Sequence, residues 1–113
     1  MKYSEYARSL WDGRINTEPA EWKIVQCFYA ALHATNHHCY TGSNGSPRSH
    51  KKHIENLAAK VVGIEWVLEE FVGLHQLSER ARYHPIKHPI EKEKLSWAET
   101  SAERILHQFG IID

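Results

Sequence analysis

The chain has 113 residues, enough for one domain around a single core. Lys plus Arg is 14 and Asp plus Glu is 14, so with neutral histidines the formal net charge is zero. That excludes a nucleic-acid binder working through the charge of the whole chain; any basic surface has to be local, with acidic surface elsewhere to balance it. With 9 histidines, the charge turns positive as the pH falls below neutrality.

Residues 1–16 read as an N-terminal extension or short helix, with an amphipathic stretch over 3–11 that Asp12-Gly13 ends. Met1 to Arg8 has no apolar signal-peptide core. The first long helix is predicted from Thr17, which can cap free amides. Glu18 and Glu21 suit the positive end of its dipole, and Pro19 is tolerated in the first turn. Trp22, Val25, Tyr29, Leu32 and Asn36 share one face, with Ile24, Phe28 and Ala31 beside it. So wide an apolar face belongs to a helix in the middle of a bundle. This helix runs to about Tyr40, and residues 41–46 are turn-rich.

A second helix is predicted with Ser46 as cap and Pro47 in its first turn; it carries Ile54, Leu57 and Val61 and is interrupted at Gly63. A third starts at Ile64, turns Val67, Leu68, Phe71, Leu74 and Ala81 inward, and is ended by Pro85 and Pro89. The last covers roughly 90–109, with Leu95, Ala98, Ala102, Ile105 and Phe109 as its stripe and Gly110 as C-terminal cap. No internal repeat is present. The expected fold is all-α, an antiparallel four- to five-helix up-and-down bundle over residues 1–113.

The longest mostly apolar stretch, Ile24 to Ala34, is interrupted by Gln26 and His33 and is too short for a membrane span. Cys27 and Cys39 fall on one helix, roughly 18 Å apart at the helical rise and out of disulfide reach of each other. Two unpaired thiols point to a cytoplasmic location.

Three constellations could carry chemistry. In the first, Arg80, Arg82, Tyr83, His84 and His88 crowd the end of the third helix and the turn after it. A guanidinium holds phosphate with two parallel hydrogen bonds, and an imidazole moves a proton near neutral pH. The same pattern also suits a basic helix end facing its own dipole. The second is Arg48, Ser49, His50, Lys51, Lys52 and His53, cations at a helix start, where the dipole disfavours them and a bound anion would relieve the conflict; a solvated basic surface is the alternative. In the third, His33 and His37 have zinc-ligand spacing, but no third and fourth ligand is well placed, so no metal and no cofactor is expected.

The first-helix block Phe28-Tyr29-Ala30-Ala31-Leu32-His33-Ala34, the entry Ser46-Pro47-Arg48-Ser49-His50-Lys51 and the third-helix end Leu77-Ser78-Glu79-Arg80-Ala81-Arg82-Tyr83 together resemble HEPN domains over roughly residues 17–110. The resemblance implies a four- to five-helix bundle that forms a homodimer. It also implies a metal-independent endoribonuclease of a toxin–antitoxin or phage-defence system, cutting RNA by 2′-hydroxyl attack. The HEPN motif of Arg, four to six residues, then His falls on Arg82 and His88, with His84 between them. RNA would then be held by Arg80, Tyr83, Arg48, Ser49, His50, Lys51 and Lys52, and an antitoxin would be the partner. Tyr83 stands where active members often carry Asn, Asp or His. Branches with an Ala-Arg-Tyr end are similar to noncatalytic modules that bind nucleotides or accompany a nucleotidyltransferase, so this second activity stays open.

Overall fold

Ala7 and Trp11 are the inward residues of a short amphipathic helix, α1 (Tyr3–Gly13), which a 3-10 turn (Arg14–Asn16) joins to the rest of the bundle. The computed structural model describes residues 2–40, 49–83 and 90–113. Four further helices follow: α2 (Ala20–Tyr40), α3 (His50–Lys60), α4 (Trp66–Tyr83) and α5 (Lys92–Gln108). No strand occurs among the described residues.

The molecule is an all-α bundle built around α2, which packs against each of the other four helices. Its inner residues Ile24, Cys27, Phe28, Ala30, Ala31 and Ala34 have no exposed surface. The small side chains along this row let neighbouring helices approach closely, while Phe28 fills the centre. α1, α2, α4 and α5 alternate in direction. Tyr3 and Tyr6 meet His33 at one end of the α1–α2 pair, while Gly13 lies beside Gln26 at the other. Along α4 and α5, Arg80 faces Glu91, Gly73 faces Trp97, and Glu70 faces Ser101 and Arg104. Gly73 matters there, because a Cβ at this position would stand 2.6 Å from the Trp97 ring. α3 departs from the alternation and runs in the same sense as α2: His50 touches Phe28, His53 touches Thr35, and Lys60 reaches His38. That sense sets the first residue of α3 against the middle of α2.

Two expected breaks are confirmed. Gly63 has φ +93° between α3 and α4, and Gly110 has φ +73° after α5. At Gly110 the amide of Ile111 reaches the Leu106 carbonyl at 2.9 Å and that of Gly110 reaches His107 at 3.1 Å. This is a Schellman closure, and the buried Ile111 supplies its hydrophobic contact.

Three details differ from the expectation. The α3 cap is Ser49, whose Oγ accepts from the Lys52 amide at 3.2 Å; Ser46 and Pro47 lie outside the described residues. Thr17 does not cap α2, because its hydroxyl donates back to the Gly13 carbonyl at 3.0 Å. Trp22, expected on the apolar face, is 49% exposed, since it sits in the first turn of α2 and the buried row begins only at Ile24. Cys27 and Cys39 are both free thiols, and burial pushes their pKa values up to about 12 and about 11. No helix among the described residues is long and apolar enough to cross a membrane.

Candidate functional site

His75, Glu79 and Arg82 follow one another at four- and three-residue steps, which places them in one row on α4. The row faces α2, which contributes Phe28 and Tyr29, and the first residue of α3, His50. The ring centroids of His50 and His75 are 4.6 Å apart. Phe28 lies against both, 5.8 Å from His50 and 5.2 Å from His75, and is itself backed by Phe71 at 5.6 Å. Two imidazoles therefore share an aromatic floor that belongs to the core.

Arg82 is built into this face. Its Nη1 donates to the Tyr29 hydroxyl at 2.9 Å, and its guanidinium carbon stands 5.7 Å from the Tyr29 ring and 5.1 Å from the Tyr83 ring. Its Nε is buried and has no hydrogen-bond partner among the described residues. Tyr83 is 66% exposed at the rim. An arginine fixed by a phenol loses less side-chain entropy on meeting an anion than one free in solvent, and its planar fork is suited to phosphate oxygens.

The nearby charges act on His75. Burial, then the positive charges of His50 and Arg82, hold its pKa below the ordinary 6.5, while Glu79 opposes them. His75 Nε2 is 3.1 Å from Glu79 Oε1, close enough for an ion pair but without hydrogen-bond alignment. In the absence of an added anion, His75 is therefore mostly neutral at neutral pH.

The structure brings some of the predicted residues together and separates others. Arg82, Tyr83 and His50 share the face just described. Ser49, Lys51 and Lys52 are exposed beside it at the start of α3, with Lys52 loosely paired to Glu55 at 3.8 Å. Arg80 lies elsewhere: two positions along a helix turn a side chain by more than half a revolution. Arg80 instead lines a groove of about 540 Å³ between α4 and α5, with Gly73, Leu77, Glu93, Lys94 and Trp97. Arg48, His84 and His88 lie outside the described residues.

His53 belongs to the core rather than to the site. Its Nε2 meets the Thr35 hydroxyl at 2.8 Å and its Nδ1 the Tyr40 hydroxyl at 3.0 Å. Thr35 donates its own proton to the Leu32 carbonyl at 2.9 Å, so Nε2 must be the donor to Thr35. Nδ1 then accepts from Tyr40, which in turn accepts from Asn56 at 3.0 Å. His53 is thereby fixed as the neutral Nε2–H tautomer. His33, half-buried between α1 and α2, faces the rings of Tyr3 and Tyr6, and burial lowers its pKa. Among the described residues no group of three His, Cys, Asp or Glu side chains converges as a metal site.

The chain matches no protein-family model, no curated protein and no solved structure.

Sequence reasoning missed Tyr29, His75 and Glu79 as site residues. The spacing of His75, Glu79 and Arg82 was a usable signal, because it gives one polar row on a helix whose other side is apolar. The role of Tyr29 was hidden, because a tyrosine in an apolar stripe reads as core until the arginine across from it is known.

Proposed function

We propose that this chain is a HEPN-type endoribonuclease that works without a metal, in a toxin–antitoxin or phage-defence setting with an antitoxin as partner. In the proposed reaction a ribose 2′-oxygen attacks the adjacent phosphorus and the 5′-oxygen leaves, giving a 2′,3′-cyclic phosphate. Arg82 is the phosphate clamp, and His88, with His84 near it in sequence, moves the proton. The observation that supports this reading best is the anchoring of Arg82 by Tyr29 across two helices, next to two further imidazoles. Preorganised positive charge at a fixed point is what a phosphorane-like transition state needs.

A second reading has its own support. A noncatalytic HEPN module would bind a nucleotide or a nucleotidyltransferase on the same face. The exposed cations Lys51 and Lys52 at the α3 start suit binding and contribute nothing to proton transfer.

An RNA-cleavage assay with EDTA present separates the two. Cleavage by the wild type should persist in EDTA, fall about 10²–10³-fold in Arg82→Ala and about 10²–10⁴-fold in His88→Ala, with helix content unchanged. Activity that survives Arg82→Ala would remove the clamp. A wild type that binds RNA or nucleotide but never cuts would establish the second reading.

The same reading includes a homodimer, whose two copies would double the local positive charge. Half-exposed Trp22, together with Trp97 and Ile15, leaves apolar surface for such contacts, at 49%, 38% and 68% exposure. Light scattering at micromolar concentration should give twice the 13.1 kDa chain mass, and a monomer throughout would rule the dimer out.

A further inference from the structure

Clamping a phosphate requires one arginine, yet among the described residues three groups able to carry positive charge share the junction of α2, α3 and α4. Arg82 and His75 come from α4 and His50 from α3. From α2 the neutral rings of Phe28 and Tyr29 face them. One carboxylate, Glu79, stands beside His75. On α3, Lys51 and Lys52 flank His50 in sequence, and Glu55 is taken up by Lys52. Like charges on two imidazoles whose ring centroids are 4.6 Å apart repel each other, the more so where water is partly excluded. Charging both imidazoles next to Arg82 is therefore unfavourable until an anion arrives.

We propose that Arg82, His75 and His50 form a proton-linked binding site for one phosphodiester group of RNA, with the imidazole pair taking up a proton as the phosphate seats. The proposal rests on reading this face as a phosphate site, but not on the cleavage step. His50, exposed on the first residue of α3, contacts the phosphate. His75, half-buried beneath it and held toward Glu79, positions His50 and shares the proton. The pKa of His75 is depressed first by burial and then by the positive charges of His50 and Arg82, and that second, electrostatic part is what a phosphate would offset. Binding and protonation are reciprocal, so each strengthens the other by the same factor.

The test uses a 2′-O-methyl RNA oligonucleotide with hydroxyl ends. It cannot be cut, and its diester phosphates keep their charge near neutrality, unlike a phosphomonoester with a second pKa near about 6. Proton uptake on binding must then come from the protein. Titration calorimetry in buffers of different ionisation enthalpy should show that uptake. Affinity should be about tenfold or more higher at about pH 6 than at about pH 8. His50→Gln and His75→Gln should each abolish the pH dependence, so that affinity at about pH 6 is no higher than at about pH 8. Arg82→Ala should weaken binding at both. His50→Gln alters an exposed residue, so it stays informative if His75→Gln fails to fold.

Equal affinity at both pH values without proton uptake would overturn the proposal. So would uptake that survives both variants and vanishes in His88→Gln. AMP binding with proton uptake while the oligonucleotide does not bind would overturn the ligand class. Proton-linked binding of the oligonucleotide by a protein that cuts no natural RNA would refute the endoribonuclease reading and leave this site standing. Cleavage of natural RNA with pH-independent binding would refute the site alone.

Discussion

Replacing Phe28 by alanine should destabilise the protein by about 3–5 kcal/mol and disorganise the site together with the core. Phe28 is fully buried on the central helix and touches Phe71, His50, His75 and Tyr29. Removing the ring forfeits its transfer free energy and leaves a cavity among α2, α3 and α4 that the surrounding helices close only in part. Because a whole domain is stable by only about 5–15 kcal/mol, this is a large share. Phe28 also determines where the imidazoles stand. Urea denaturation of Phe28→Ala should show the full loss, and oligonucleotide binding should weaken even at temperatures where the variant stays folded. Phe71→Ala, at 1% exposure and backing Phe28, should cost comparable stability with less effect on binding, because Phe28 keeps its ring pairs with His50 and His75. A loss below about 1 kcal/mol for Phe28→Ala, or an equal binding loss in both variants, would break the link between core and site.

How far these relations could be read in advance differs from element to element. The apolar periodicity of α2 and α5 was legible, because 3.6-residue spacing reports burial without knowledge of the neighbour. Gly63 and Gly110 were legible as punctuation for the same local reason. Arg82 and His50 stood out by residue type. What could not be read was their meeting, which depends on α3 running in the sense of α2 so that its first residue falls on Phe28. Sequence separation carries no sign of that direction. The fate of Arg80 shows the converse limit: two arginines two positions apart looked like one basic cluster, yet the helical turn sends Arg80 to the Trp97 groove and Arg82 to Tyr29. His53, part of the same basic run as His50, is taken out of that run by a single turn of helix and placed in the core.

That buried histidine gives the second large effect, on stability as a function of pH. Burial, with the nearby charge of His50, lowers the His53 pKa from 6.5 to about 4, while in the unfolded chain it returns to its ordinary value. Between those two pH values the unfolded state binds the extra proton, so stability falls as the pH is lowered through this window and is fully present above it. The shift corresponds to about 3 kcal/mol at its limit. Protonation would also place a donor on Nδ1, where the Tyr40 hydroxyl now donates, and so break the fixed chain from Asn56 to Leu32. His53→Leu isolates this contribution from the carboxylates and from His33 and His75, which the two proteins share. Near pH 7 the variant should be less stable by about 1–2 kcal/mol, for the hydrogen bonds that His53 makes with Thr35 and Tyr40. As the pH is lowered toward about 4 the difference should shrink and then reverse, because the variant has no imidazole to charge. Urea midpoints measured at about pH 7, 5 and 4 would show the crossing. Parallel curves for the two proteins across that range would mean that His53 is protonated in the native state as readily as in the unfolded chain, and the buried neutral chain from Asn56 to Leu32 would have to be abandoned.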